Sequence, residues 1–229
     1  MKTSNKLIAG LLAIIMIAIL GSNMILKAEF DKLNLKDQFF GYSKETAKPF
    51  SVVKLRGGHA KLVQIQTGNT FEVKVKAREK EFVKWHTHGD TLELTYSDES
   101  EPYQYRIGDA LTSEPSVYIM APTLQAVYAN SASCKLTDWK AAHLLLKHES
   151  EKSGMLLINS KLDSIDAEIR HKGLLQVGTD NRIAKANVQV KDTSSFKVEK
   201  DVFGFLQLQT DSLSIVNLPG VLLRKLEKR

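Results

Sequence analysis

Residues 154–198 read GMLLINSKLDSIDAEIRHKGLLQVGTDNRIAKANVQVKDTSSFKV, and this stretch decides the fold because short apolar runs alternate in it with small polar turns. Two series of apolar residues recur at intervals of about 20 residues and continue on both sides of the stretch. The first series is Leu145, Ala167, Val188 and Leu208, and the second is Leu136, Ile158, Val177, Val198 and Leu218.

Small or polar turns separate the two series at regular positions. They occupy residues 130–133, 152–154, 171–173, 192–195 and 210–212. This spacing predicts an all-β, β-helix-like solenoid of about five coils, each stacked on the last around a shared apolar interior. An ordinary β-sandwich is the alternative, since its strands also recur every 8–12 residues or so, roughly the same texture.

The region before the repeats consists of short alternating segments. In residues 71–76, Val73 and Val75 alternate with charged side chains, which gives one apolar and one solvated face. Turn dipeptides such as Gly57-Gly58 and Gly89-Asp90 separate the segments. We therefore expect short antiparallel strands before the solenoid. Because no 3.6-residue apolar period is sustained after residue 30, we expect almost no helix there.

The N-terminal residues 7–26, LIAGLLAIIMIAILGSNMIL, contain no charge. Twenty helical residues match a hydrocarbon core of about 30 Å, so we predict one transmembrane helix that contacts the membrane through residues 7–26. Lys2 and Lys6 precede the run. A positive N-terminal tail favours a cytoplasmic N-terminus, with the body periplasmic or extracellular.

A cleaved signal peptide is the competing interpretation of residues 1–26, because residues 7–20 would serve as its apolar region. No Ala-x-Ala cleavage motif follows, and bulky Leu26 lies at the −3 position before Glu29. We expect residues 27–48 to form a polar linker, residues 49–220 the β domain and residues 221–229 a basic tail.

Composition excludes several classes of function. Hydrophobic residues make up 43% of the chain and charged residues 25%, an ordinary balance for a folded domain. The net charge of +6 is spread along the chain, so we predict no nucleic-acid partner. Cys134 is the single cysteine, which rules out an intramolecular disulfide, and we expect it to act as a small buried hydrophobe.

Candidate metal ligands and catalytic acids are few. His86 and His88 share one face of a strand, with His59 the nearest other histidine, but a zinc site needs three or four ligands. A glycosidase needs two carboxylates facing one cleft. The aspartates of the repeats fall in different columns of our alignment; they are Asp163, Asp180, Asp192, Asp201 and Asp211.

Four tyrosines could line a glycan-binding surface, although tyrosine is also a common strand residue. They are Tyr96, Tyr103, Tyr105 and Tyr118. The sequence contains no nucleophile elbow, phosphate loop, dinucleotide fingerprint or calcium loop. We therefore predict no catalytic residue, no metal ligand and no cofactor.

Several motifs between Pro49 and Gly220 resemble the head GIN domain family of auto-transporter adhesins. They are PFSVVKLRG at residues 49–57, LVQIQTG at 62–68, GDTLEL at 89–94, VYIMAPTL at 117–124 and SIVNLPG at 214–220. Members of that family usually carry a glycine in the turn of every coil, whereas here only Gly154 and Gly173 keep it. The resemblance implies an all-β, β-helix-like fold without enzymatic activity, and the family name suggests adhesion.

The sequence thus predicts a non-enzymatic, membrane-anchored binding or adhesion-like module of the cell envelope. Its partner is an unidentified protein or glycan. Two alternatives stay open. A carbohydrate-active enzyme on a β-helix would need an aligned carboxylate pair in a groove, and a structural component of the envelope would need an uncapped apolar end coil.

Overall fold

The computed structural model describes residues 3–31, 37–97, 108–150 and 152–227, and the chain divides into two compact units, Met1–Gly41 and Tyr42–Arg229. The first unit is dominated by helix α1, Thr3–Asp31. Over Ile8–Asp31 this helix is long and apolar enough to cross a membrane, a property that an N-terminal signal sequence shares. The predicted apolar N-terminal helix is therefore confirmed as a helix.

The second unit is mostly β-structure, as the alternating sequence predicts. Its strands are β1 (Tyr42–Thr46), β2 (Val52–Arg56), β3 (Leu62–Thr67), β4 (Glu72–Lys76), β5 (Val83–His88), β6 (Thr91–Tyr96), β7 (Val117–Ala121), β8 (Ala126–Asn130), β9 (Ser133–Thr137), β10 (Lys140–Glu149), β11 (Gly154–Ile158), β12 (Lys161–Arg170), β13 (Leu174–Val177), β14 (Arg182–Val190), β15 (Ser195–Val198), β16 (Phe203–Thr210) and β17 (Ile215–Asn217). Two short 3-10 helices, Ala77–Glu79 and Asp109–Thr112, and a final helix α2, Gly220–Glu227, complete it.

The strands form two mixed sheets. The nine-stranded sheet has the order β1-β4-β7-β3-β9-β11-β13-β15-β17, and the eight-stranded sheet has the order β16-β14-β12-β10-β8-β2-β6-β5. From β8 to β17 the chain passes alternately from one sheet to the other. Each strand from β10 onward pairs in parallel with the strand two places earlier, for example β12 with β10 and β11 with β9. The core lies between the inner faces of the sheets.

The register corrects the two predicted apolar columns by one residue each. Ala167 pairs with Leu146, not with Leu145, and Val177 pairs with Leu157, not with Ile158. Leu146 and Leu157 are buried, whereas Leu145 and Ile158 are only partly so. Both errors fall in runs of three or four consecutive large apolar residues, 144–146 and 155–158, where no alternation is visible in the sequence and a slip of one residue reverses the face.

The expected antiparallel strands before the repeats are only partly present. Antiparallel pairs join β1 to β4, β4 to β7 and β5 to β6. However, β2 lies between β6 and β8 and is parallel to both, and β3 lies between β7 and β9 in the same way. Period-two alternation does not encode strand direction, so the sequence pattern could not distinguish these arrangements.

The expectation of almost no helix after residue 30 is wrong at the end of the chain. Residues predicted as a basic tail, 221–229, lie largely within α2. Leu222 is fully buried and Leu226 packs against the core, so the helix closes the interior between the sheets. The eight-residue helix is too short to show a clear periodic pattern. The residues predicted as a linker, 27–48, include the end of α1 and strand β1.

The turns of the repeats hold residues other than glycine in the left-handed region. Those with positive φ are Ser131, Asp138, Asn159, His171, Lys172, Asp192 and Thr193. Side chains of adjacent repeats stabilise these corners: the amide oxygen of Asn181 accepts the Ser160 backbone N–H at 3.0 Å, and the Ser160 hydroxyl accepts that of Trp139 at 3.2 Å. Such bonds satisfy backbone groups where the sheet ladder is interrupted.

Candidate binding groove on the eight-stranded sheet

A groove of about 620 Å³ lies on the outer face of the eight-stranded sheet, over its central strands β2, β8 and β10. In β2, Val53 and Leu55 point into the core, so Lys54 and Arg56 project outward. The same alternation in the neighbouring strands supplies the rest of the lining. The outward residues are Tyr128 and Asn130 from β8 and Lys147 and Glu149 from β10.

Strand register brings these six side chains into two rows. Lys54 pairs with Tyr128, which pairs in turn with Lys147. One step along, Arg56 pairs with Asn130, which pairs with Glu149. Side chains directly opposite each other on one sheet face lie about 5 Å apart at Cβ, so the two rows form one continuous surface. Its volume is within the range of small-ligand sites.

The groove carries three cationic groups and one carboxylate. Lys54 Nζ lies 3.5 Å from Glu93 Oε1 on β6, and Lys147 Nζ lies 3.9 Å from Glu168 Oε2 on β12 and 6.0 Å from the centre of the Tyr128 ring. These are solvent-accessible pairs, each of which contributes about 1 kcal/mol or less. The Arg56 side chain is exposed, and its guanidinium has no ion pair with a carboxylate among the described residues.

Glu168 borders the groove as a fixed negative charge. Burial pushes its pKa upward, but hydrogen bonds and charge from Arg170 and Lys191 outweigh that effect and hold the pKa of the carboxyl below its usual value. Glu168 is thus committed to neighbours on its own sheet. Among the groove cations, Arg56 remains the group most available to an incoming anion.

The residues suit recognition better than catalysis. The Tyr128 ring offers an apolar face, Arg56 can donate two parallel hydrogen bonds to a carboxylate, and the Asn130 amide both donates and accepts. Glu149 accepts hydrogen bonds from hydroxyls. No serine, cysteine or histidine lines this groove, so it holds no neutral nucleophile with an adjacent base.

The histidines singled out from the sequence lie elsewhere. His86 Nε2 is 3.5 Å from Glu93 Oε2, and His88 pairs with Thr91 at the start of the neighbouring strand. His59 lies in another turn, where its backbone carbonyl accepts the Ser133 hydroxyl at 2.6 Å. Across the described ranges, no three His, Cys, Asp or Glu side chains are grouped as a metal site would require.

Asp180 and Asp201, which we assigned to different columns, line one cleft of about 670 Å³. Asp180 lies in the turn between β13 and β14, and Asp201 lies in the turn between β15 and β16. Asp201 already accepts the Phe203 backbone N–H at 3.2 Å and binds Lys225 Nζ at 3.2 Å. These contacts give it a structural role in docking α2, and they do not favour a catalytic pair.

Asp211 also has a structural role. Its carboxylate accepts the hydroxyl of Ser214 at 2.6 Å and the backbone N–H groups of Asp192 and Leu213 at 2.6 and 3.0 Å. The Ser214 hydrogen bond, followed by the backbone donors, holds the pKa of Asp211 below its usual value. This carboxylate therefore caps the turn after β16.

Two of the four tyrosines considered from the sequence are buried elsewhere in the β-structure. Tyr96 is buried, and its hydroxyl donates to the buried carboxylate of Glu79. Tyr118 is buried edge-to-face against Tyr42, with ring centres 5.2 Å apart. Tyr103 and Tyr105 lie outside the described residues.

Cys134 is fully buried, as predicted, and burial raises the pKa of its thiol to about 12. A thiol with this pKa is a poor nucleophile at neutral pH. The sequence interpretation missed His148, which is 1% exposed and whose Nε2 lies 3.0 Å from the Ser153 carbonyl oxygen. Burial lowers the pKa of His148 although the hydrogen bond to Ser153 opposes this.

The groove residues themselves were also missed. Alternation in β2 is a sufficient signal that Lys54 and Arg56 face outward together. Nothing in the sequence shows that β2 lies beside β8, because five strands, β3 to β7, lie between them in the chain. The groove becomes visible only once this pairing is known.

Comparisons with known proteins give weak likenesses. No protein-family model and no curated protein matches the sequence. Among solved structures, a candidate adhesin from Bacteroides fragilis has 10% identity and a TM-score of 0.39, covering 77% of this chain and 95% of its own. A candidate lipid binding protein from Parabacteroides distasonis has 10% identity and a TM-score of 0.31, covering 78% and 96%.

A candidate cell adhesion protein from Clostridium sporogenes has 8% identity and a TM-score of 0.27, covering 77% of this chain and 97% of its own. At such low identities and TM-scores, these likenesses establish neither the family nor the function of this chain.

Proposed function

We propose that the protein is a non-enzymatic, membrane-anchored binding module of the cell envelope whose groove over Tyr128 binds an acidic carbohydrate. Residues 7–26 serve as the anchor, with the N-terminus cytoplasmic and the body periplasmic or extracellular. The repeats act as a β-helix-like solenoid of the head GIN type, which provides a stiff surface for recognition. Parallel pairing at intervals of 20 or 21 residues supports the solenoid.

The groove's mixture of groups carries the choice of ligand. A sugar ring can place its C–H face on the Tyr128 ring while its carboxylate meets Arg56. Glu149, which lies beyond Asn130 in the same row, accepts hydrogen bonds from sugar hydroxyls. A ligand that carries both hydroxyls and one carboxylate on a compact ring can therefore bind Arg56 through the carboxylate and Glu149 through a hydroxyl.

The test is to titrate the full-length protein, in detergent, with a uronic-acid oligosaccharide and with the neutral oligosaccharide of the same length. We expect the acidic sugar to bind more tightly and Arg56→Glu to weaken its binding by about tenfold or more, equivalent to about 1.4 kcal/mol. Lys185→Glu is the matched control, because Lys185 is an exposed cation on β14 outside the groove. Equal binding of both sugars, or equal loss in both variants, would refute the proposal.

Topology and the lack of catalysis are tested separately. A reporter that is active only outside the cytoplasm, fused to the C-terminus, should give signal in the membrane fraction. Recovery of a shortened soluble form would instead show a cleaved signal peptide. Release of reducing ends from the bound sugar, lost in Asp180→Asn, would favour the enzyme alternative.

A further inference from the structure

Four amide side chains occupy the outer face of β14 and β16 in the eight-stranded sheet. In β14, Val188 is buried between two outward residues, Asn187 and Gln189. Strand register pairs these two with Gln207 and Gln209 of β16, so the four amides form a two-by-two block. Neighbouring strands lie about 4.8 Å apart, which brings the paired amides within reach of one ligand.

The amide block continues the groove across the sheet. Lys147, which lines the groove, pairs with Glu168 on β12, and Glu168 pairs with Gln189. At about 4.8 Å per strand, Gln189 lies about 14 Å from Tyr128, and Gln209 lies about 19 Å from it. These distances are longer than one sugar ring. Only an oligosaccharide can therefore contact the groove and the amide block at the same time.

Charge decreases along this surface from the groove to the amide block. The groove carries three cationic groups. On β12, the carboxylate of Glu168 lies 3.9 Å from Lys147 Nζ and 3.5 Å from Lys191 Nζ, and it also pairs with Arg170. The sequence of β16, FGFLQLQT, contains no ionisable side chain. A ligand that lies along this surface thus meets cations at one end and neutral amides at the other.

Amides suit the hydroxyls of a neutral sugar, because both groups donate and accept hydrogen bonds. Lys191 Nζ donates to the amide oxygen of Gln189 at 3.0 Å, which leaves the Gln189 amide nitrogen to donate. The amide oxygen of Asn187 is buried and has no hydrogen-bond partner among the described residues. Rotation of this amide toward a sugar hydroxyl would satisfy it. Since Lys191 is already occupied by Glu168 and Gln189, a neutral sugar suits the block better than an acidic one.

We propose that the ligand of the groove is the charged end of a longer glycan, whose neutral sugar units cross β12 and bind the four amides on β14 and β16. This inference rests on the proposed function, because it places the acidic unit over Tyr128. It assigns to the site a specificity for glycans in which several neutral sugars follow one uronic acid. The chain of the glycan runs perpendicular to the strands.

Titration calorimetry of the full-length protein in detergent tests the inference with two probes. One is glucuronic acid alone, and the other is aldopentaouronic acid, in which four xylose units follow one glucuronic acid. We expect the longer probe to bind about tenfold more tightly or better, because hydrogen bonds at the amide block add to those in the groove. Added salt should weaken both probes by a similar factor, since the charged contacts lie in the groove alone.

The double variant with Gln189→Ala and Gln209→Ala should lose the advantage of the longer probe and bind glucuronic acid as before. Gln176→Ala is the matched control, because Gln176 is a partly exposed glutamine on the outer face of the other sheet. It should keep the full advantage.

Equal affinity of the two probes in the wild type would overturn this inference and leave the proposed function in place. So would a double variant that keeps the advantage of the longer probe, or one that loses affinity for both probes equally. If Arg56→Glu left the binding of both probes unchanged, the proposed function itself would fail, and this inference with it.

Discussion

The strands at the two ends of the sheets are protected in different ways. At one end, β1 carries Lys44 and Glu45, which pair with Glu72 at 2.8 Å and with Lys80 at 3.3 Å. At the other end, β16 and β17 carry no charge at all. Since charged edges resist strand addition, Lys44 and Glu45 protect the first end by charge, whereas the strands of the second end have no charged side chain to do so.

The interior at the β16–β17 end is closed by α2. Leu222 of α2 fills the space between the sheets, so the exposed apolar surface belongs to the strand edges and the outer side of α2. Capping of the core and protection of the strand edges are therefore separate properties, and α2 supplies the first of them at this end.

The largest effect on stability is expected in the parallel strands that lead to the β16–β17 end. Val188 is 2% exposed on the inner face of β14, so Val188→Asp should destabilise the protein by several kcal/mol because the buried carboxylate has no partner. Gln189→Asp, one residue along on the outer face, should change stability by about 0.5 kcal/mol or less. Chemical denaturation of both variants measures the difference, and similar losses at the two positions would contradict the register.

The next largest effect concerns the cap. Leu222→Ala should cost about 2–5 kcal/mol, because it leaves a cavity at a fully buried position. Its neighbour Leu223 is 46% exposed, so Leu223→Ala should cost about 0.5 kcal/mol or less. Thermal unfolding of the full-length variants compares them. If Leu222→Ala were as mild as Leu223→Ala, α2 would not be closing the core.

A smaller effect, on the pH dependence of stability, is expected at His148 in β10, between the two ends. His148 has a lower pKa folded than the 6.5 of an unfolded histidine, so the unfolded chain takes up the proton first as the pH falls. The contribution of neutral His148 to the free energy of unfolding is fully present above about pH 6.5. It is lost as the pH falls below that value, at a rate of at most about 1.4 kcal/mol per pH unit.

Denaturation midpoints measured between about pH 7.5 and 5 should therefore fall with pH, and His148→Gln should reduce that slope. His143→Gln is the control, because His143 is exposed on the same strand. A wild-type midpoint that stays constant over this range would show that His148 does not govern acid stability.

Much of the fold was predictable, because strands, turns and the N-terminal helix leave local patterns. Val73 and Val75 mark a strand by alternation alone. The register at Leu144, Leu145 and Leu146 was not predictable, since three consecutive leucines fit either face. The position of β2 between β6 and β8 depends on packing between distant parts of the chain, and so does the groove that joins Arg56 to Tyr128 and Glu149.

The register of the parallel strands is tested most directly by the free energy of unfolding of Leu146→Ala and Leu145→Ala in the full-length protein. We predict a loss of about 2–5 kcal/mol at Leu146, which is 1% exposed on the inner face of β10, and a clearly smaller loss at Leu145, which is only partly buried. Equal losses at the two positions, or a larger loss at Leu145, would contradict the account.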